Sequence, residues 1–401
     1  MAEPQISSAQ TASTSTDAVQ PRRAVTGALT TTIACSVPVF LVGGLAVQIG
    51  EELRFSPAGL GLAVSAYFGA SALASVPAGA LVERFGSTTI ARAGIALASV
   101  SLLTIAVAAR SLWTLIAILA LGAAANALGQ LASNTSLSRH VPVRRQGLSF
   151  GVKQAAIPVS TLLAGAAVPV VALTVGWRWA FVLAAVGAAG ALWLVPSEKD
   201  ETKRRQTGGG ERATAALIVI GVGATLAAGS ANALGTFLVD SAAARGMAPG
   251  TAGLALTLGG AVCVIARVFG GWQADRFPSR QIAVIAALLA VGAVGLALMA
   301  VAGTVTLVAG VVLGFGFGWA WPGLMNFAVV RLHPQAPAAA TSITQTGVYA
   351  GGCLGPLGLG ALAAAAGYPV MWTVAAIAMV WAAAAMVVGS RMLARHAAAM
   401  S

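Results

Sequence analysis

From about residue 25 to about residue 390, the chain is a succession of apolar runs, each long enough to cross a bilayer and each stopped by a short polar interruption. A helix rises about 1.5 Å per residue, so about 20 mainly apolar residues span the hydrocarbon layer of a membrane. In lipid the backbone must satisfy its own polar groups, which leaves helices and closed barrels. Runs of this length without period-two alternation specify helices. The expected spans are 25–49, 58–82, 88–109, 111–137, 148–173, 176–195, 213–238, 249–273, 281–302, 304–330, 340–366 and 368–390. Composition agrees: of 401 residues, 58% are apolar and 8% charged, far below the roughly 25% charged of soluble domains. The expected class is an all-α membrane protein with twelve transmembrane helices.

The polar remainder organises this bundle. Residues 1–24 are rich in Ser, Thr, Gln and Ala, lack an apolar segment before Arg22 and Arg23, and read as a disordered tail rather than a signal peptide. The stretch 196–212, PSEKDETKRRQTGGGER, reads as a flexible linker between six-helix halves at 25–195 and 213–390, with a short tail at 391–401. Seventeen of the 23 bases fall on the side of the N-terminal tail; Arg54, Arg110, Arg178 and Arg245 fall on the other. That asymmetry predicts a multi-pass protein of the cytoplasmic membrane with both termini in the cytoplasm.

The same distribution explains the net charge of +12 as topology rather than nucleic-acid binding. Cys35, Cys263 and Cys353 lie in apolar stretches at unrelated spacings and read as packing residues; His140, His333 and His396 lie at span ends. No metal, no cofactor, no nucleic-acid partner and no enzymatic chemistry is expected. The expected partners are the lipid bilayer and a small-molecule substrate, with a monomer as the working unit.

The chain repeats itself at an offset of 192 residues, pairing Pro57 with Pro249, Gly61 with Gly253, Gly79 with Gly271, Glu83 with Asp275, Arg84 with Arg276, Phe85 with Phe277, Arg139 with Arg331 and Pro142 with Pro334. Such an echo marks a transporter built from two parallel halves. The segments GALVERFG at 79–86 and GWQADRFP at 271–278, followed by Arg92 and Arg280, resemble the signature loop of the major facilitator superfamily and its second copy. GWRWAF at 176–181, weakly echoed by GYPVMW at 367–372, is similar to the same family. Glu83 stands where the family usually has Asp, and Pro278 where it has Gly. The resemblance implies two pseudo-symmetric six-helix bundles. It also implies a gating role for Gly79, Glu83, Arg84, Gly271, Asp275 and Arg276, latching the cytoplasmic side in the outward-open state.

Two bases stand inside spans, Lys153 and Arg267. Each costs about 2.5–3.5 kcal/mol at mid-membrane even on a lenient scale, so each is a functional hypothesis. Lys153 lies eight residues past Arg145 and Arg267 eight before Asp275, which puts both at one depth. At the repeat offset they correspond to Gln345 and Ser75, so each half supplies a cation that the other lacks. Glu51, Glu52, Glu83, Asp240 and Asp275 all fall at span ends, so two unpaired cations call for an anion. The segment GVKQAAIP at 151–158 resembles cyanate-transporter-like carriers, and an Arg shortly before the second signature is shared with monocarboxylate and oxalate:formate carriers. The alternatives are snorkelling for Lys153 and a structural hydrogen-bonding role for Arg267, to helix-end carbonyls or to the signature loop.

Asn126, Gln130 and Asn134 share one face of the fourth span, while Gln154, Asn232, Asn326 and Gln345 mark spans five, seven, ten and eleven. Their amides suit a small polar ligand or interhelical bonds equally. Tyr67 and Trp321 are weaker candidates for a cavity wall, and Asp240 reads as surface polarity with proton carriage as its alternative. Gly347, Gly351 and Gly355 before Pro356, and GFGFGWAWPG at 314–323, supply close packing and kinks. The expected function is secondary transport of a small organic or inorganic anion by alternating access, bound between the halves by Lys153 and Arg267. A proton-driven multidrug or metabolite exporter of the same fold is the rival. Substrate identity, direction and any coupling ion or proton are left open by the sequence.

Overall fold

The computed structural model describes residues 20–197, 214–277, 281–332 and 337–400. The tail up to residue 19, the linker from residue 198, Pro278, Arg280, His333 and Pro334 lie outside the described residues, as does the side chain of His396. Among the described residues, twelve helices are long and apolar enough to cross a membrane: α1 Pro21–Gly44, α2 Pro57–Phe85, α3 Ser87–Ala108, α4 Leu112–His140, α5 Gln146–Ala172, α6 Trp177–Leu194, α7 Thr214–Ala243, α8 Pro249–Arg276, α9 Gln281–Ala300, α10 Thr304–Val329, α11 Thr344–Ala366 and α12 Tyr368–Arg395. Among the described residues there is no β-strand. The expected first span is split: α1 stops at Gly44, and a separate short helix, Ala46–Leu53, follows it. Several helices overrun their expected ends because a helix continues through polar residues once it has left the hydrocarbon.

Each half is built alike. Helices α3 and α6 pack together on the flank of one half, α9 and α12 on the flank of the other, and the halves meet along α2 with α11, α5 with α8 and α1 with α7. At these seams the helices approach to backbone contact. A Cβ on Gly43 would lie 2.4 Å from the Gly235 carbonyl oxygen, and one on Gly61 would lie 2.1 Å from the Pro356 oxygen, so only glycine fits. Gly43 and Gly235 are themselves related by the 192-residue offset.

At the face away from the basic loops, each half ties down the end of its third helix with an arginine. Arg178, at the start of α6, donates to the carbonyls of Ala106 and Ala109 at the end of α3. Arg245, just after α7, donates to those of Met299 and Val301 at the end of α9. Exposed C-terminal carbonyls welcome a cation. Arg178 also pairs with Glu52 at 2.5 Å, and the Glu52 carboxylate accepts the Trp177 indole N–H at 2.6 Å. Trp177 and Arg178 of the GWRWAF segment are therefore a clasp between α6, α3 and the short helix after α1. Its leading Gly176 has φ 99°, a conformation that favours glycine. In the other half Tyr368 donates its hydroxyl to Asp240, so Asp240 is a partnered, half-buried carboxylate rather than plain surface polarity.

Candidate functional site: a cavity between the halves

A cavity of about 780 Å³, counting its open mouth, lies between the halves and is lined from α1, α2, α4, α5, α7, α8, α10 and α11. The flank helices α3, α6, α9 and α12 contribute no lining residue among those described. Of the residues singled out from sequence, Asn126 and Gln130 of α4, Gln154 of α5 and Asn232 of α7 line it. So do Arg267 of α8, Asn326 of α10 and Gln345 of α11. Asn134, one turn beyond Gln130, does not.

Lys153 is placed differently. It is 0% exposed and absent from the lining, and its ammonium donates to the Gln130 side-chain oxygen. It does not snorkel toward a membrane face. Its charge reaches the cavity through Gln130, which polarises that amide toward any occupant.

Arg267 is held by two defects in neighbouring helices. In α5, Pro158 has no N–H to give to the carbonyl four residues earlier, that of Gln154. The helix accordingly divides into Gln146–Gln154 and Ala156–Ala167. In α10, Gly314–Gly318 is a wide turn of π-helix, followed by a non-helical turn ahead of Pro322. Arg267, 2% exposed, fills both positions: Nη1 donates to the Gln154 oxygen at 2.6 Å, while Nε and Nη2 donate to the Trp319 oxygen at 3.0 and 2.7 Å. Capping of freed carbonyls is thus one part of what Arg267 does. Its guanidinium carries five N–H donors, and these three bonds leave one on each Nη. The other half solves the same problem without charge: Ser71 donates to the Ala123 carbonyl, at 2.9 Å, where α4 is interrupted. Cys263, the repeat counterpart of Ser71, points at Trp319 as well, with Sγ 3.7 Å from its oxygen.

The residues expected to gate split into two groups. The Asp275 carboxylate accepts the backbone N–H of Gly147 at 2.9 Å and of Leu148 at 2.8 Å, capping the start of α5 from the opposite half. The segment Gln146–Gln154 therefore carries a carboxylate at its N-terminal end and a guanidinium at its C-terminal end, both from α8. Between these points the backbones touch: a Cβ on Gly271 would lie 2.8 Å from the Gly147 oxygen, and one on Gly151 would lie 2.8 Å from the Arg267 oxygen. The repeat-related residues make no such contact. Glu83 is exposed without an ion pair or hydrogen bond among the described residues, and nothing lies within 4 Å of a Cβ on Gly79. Arg84 and Arg276 stack over their own helices' Phe85 and Trp272, at 5.2 and 4.1 Å.

Sequence reasoning missed most of the cavity's aromatic wall. Phe40, Phe68, Trp319 and Tyr349 join Tyr67 and Trp321 there. Phe40 lies 5.7 Å from Trp319 and Tyr67 lies 5.4 Å from Phe68, centroid to centroid, in tilted and edge-on arrangements.

Comparison with known proteins agrees with this architecture. The chain is 18% identical to a bacterial homolog of the human lysosomal transporter Spinster, crystallised in an inward-facing and occupied conformation, with a TM-score of 0.74 over 93% of this chain and 98% of that one. It is 27% identical over 161 residues to probable anion transporter 3, chloroplastic, of Arabidopsis thaliana; the match covers 40% of this chain and spans about a third of that relative, 31% of its length. The sequence profile of the Major Facilitator Superfamily matches residues 27–222 and 220–398, nearly the whole chain after the tail. The chain belongs to the Major Facilitator Superfamily and is a multi-pass secondary transporter with an alternating-access fold, not an enzyme.

Proposed function

We propose that the protein carries a small anion, organic or inorganic, and that the anion binds between the halves on Arg267 and on the Gln130 amide polarised by Lys153. The observation that carries this reading is a pair of buried basic side chains, one from each half, in and behind the wall of a cavity with no carboxylate among its described lining residues. Burying a charge without a counter-charge is costly, and an anion between the two relieves both. The two Nη protons left over on Arg267 offer a carboxylate or oxyanion a bidentate seat. The printed name of the Arabidopsis relative, a probable anion transporter, points the same way.

In this reading residues 25–195 and 213–390 move as two bodies about the cavity, in a monomer with both termini on the cytoplasmic side. Asp275 on the α5 amides latches one seam of the basic face. An anion on Arg267 draws the halves together over itself, whereas the cavity without it keeps two like charges that resist closure. The aromatic wall would also suit a lipophilic drug, which keeps the exporter as the second reading. Pumps for cationic drugs usually use a carboxylate deep in the cavity, and none is among the described lining residues.

Thermal unfolding of the detergent-purified protein separates the two. A ligand at about a hundred times its Kd stabilises by about 2.7 kcal/mol. Anions are expected to raise the unfolding temperature in the wild type and not in Arg267→Gln. Stabilisation by cationic dyes alone, unaffected by that substitution, would overturn the anion reading.

A further inference from the structure

The lining that Arg267 shares includes two residues with a polar group that no described residue satisfies. The Trp321 indole N–H is 0% exposed, the Gln154 side-chain oxygen belongs to a residue 7% exposed, and neither has a hydrogen-bond partner among the described residues. Both residues line the cavity. Their segments approach each other: the Gln154 Cβ lies 3.8 Å from where a Cβ on Gly323, two residues past Trp321, would stand. Arg267 holds both segments, since it bonds the Gln154 backbone carbonyl and that of Trp319, two residues before Trp321. One is a donor and the other an acceptor, and a hydroxyl is the small group that serves both at once. Buried polar groups are paired as a rule, so an unpaired couple facing a cavity describes the ligand that completes it.

The remaining surface describes the ligand's body. Aromatic residues are 6% of the chain, yet Phe40, Tyr67, Phe68, Trp319, Trp321 and Tyr349 all face this one cavity. Aromatic faces gain by covering flat apolar surface. They offer nothing to a bare oxyanion, which needs donors on every side. Resting on the anion reading above, we propose that the substrate is an organic 2-hydroxy acid with a flat apolar body: carboxylate on Arg267, hydroxyl between Trp321 and Gln154, body against the aromatic wall. Trp321 and Gln154 are then the specificity-determining residues for the hydroxyl.

Equilibrium binding to the purified full-length chain by calorimetry tests this with six probes: mandelate has aryl group and hydroxyl, phenylacetate the aryl group alone, lactate the hydroxyl alone, and acetate neither, with inorganic phosphate and methyl mandelate beside them. Mandelate is expected to bind at least about tenfold more tightly than lactate and about fivefold more tightly than phenylacetate. Trp321→Phe keeps a flat ring and removes the N–H, so it should bring mandelate and phenylacetate to within about twofold of each other. Gln154→Met does the same from the acceptor side, should Trp321→Phe fail to fold. Acetate, lactate or inorganic phosphate binding as tightly as mandelate would overturn this proposal and leave the anion reading standing. Uncharged methyl mandelate binding as tightly as mandelate would overturn the anion reading, and the proposed carboxylate with it. Binding of none of the probes would overturn the proposal outright.

Discussion

Removing the Asp275 carboxylate should loosen the α5–α8 seam by an amount that the structure sets. The side chain makes two charge-assisted bonds, 2.9 and 2.8 Å, to amides at the start of α5. Each such bond contributes about 1.5–3 kcal/mol when enclosed, and a carboxylate at a helix N-terminus adds about 0.3–1 kcal/mol. Asp275 is half-buried, so solvent screening reduces the sum to about 2 kcal/mol for the pair. At about 1.4 kcal/mol per factor of ten, Asp275→Ala should raise the opening equilibrium of the segment about 30-fold. Amide hydrogen exchange reads this directly, because the Gly147 and Leu148 N–H groups are the ones exposed by opening. Asp275→Asn keeps one acceptor oxygen and should recover about half of the lost protection on a logarithmic scale. If exchange at these amides in Asp275→Ala stayed within about twofold of wild type while α8 remained protected, the latch would be no latch.

Other perturbations test neighbouring parts. Arg267→Lys keeps the charge but cannot span the Gln154 and Trp319 carbonyls together, so anion binding and thermal stability should both fall, with about 1–3 kcal/mol lost per orphaned carbonyl in denaturation midpoints. A Cβ on Gly151 meets the Arg267 oxygen at 2.8 Å and the Gly271 Cα at 3.0 Å. Gly151→Val should therefore hold the seam apart, at a cost of about 1–3 kcal/mol, and weaken cysteine cross-linking between the basic-face ends of α5 and α8. Lys153→Met should lower anion affinity without changing selectivity among anions, because its charge acts through Gln130; a changed rank order in competition binding would place the ammonium in direct contact.

The Glu52 clasp carries a pH dependence. The Trp177 N–H donating to its carboxylate holds Glu52 below the usual carboxylate range, with the Arg178 bond and charge adding to it and burial opposing. A carboxyl with a folded value below its unfolded one stabilises fully above the unfolded value, about 4.3, and loses that contribution as pH falls through the folded value. Unfolding temperature should drop as pH falls below about 4.3 and through the lower folded value, and drop less in Glu52→Gln.

The twelve spans were legible because bilayer thickness writes itself into run length, and the two-fold build because charged and proline residues recur at one offset. Lys153 and Arg267 were legible as charges where lipid tolerates none. Their environments were not. Pro158 stands in the sequence, but nothing local says that the Gln154 carbonyl it frees is met by an arginine 113 residues away. Asp275 docks on backbone amides, which no residue pattern announces. Lys153 turns to Gln130, and only the placement of α4 against α5 shows that it stands behind the cavity wall. The aromatic wall was hidden for a different reason: Phe40 and Trp319 lie in apolar runs no different in kind from those of Phe269 and Trp193, which are exposed on the outside of the bundle.

The central claim, an anion carried on Arg267 between the two halves, is tested most directly by counterflow in proteoliposomes. Vesicles loaded with a carboxylate, or with phosphate, are diluted into the same radiolabelled anion, for wild type beside Arg267→Gln. The account predicts that at least one anion class accumulates transiently in wild-type vesicles and that this accumulation is lost in the variant. Equal accumulation in both would remove Arg267 from the binding site, and the absence of counterflow with every anion would contradict anion transport itself.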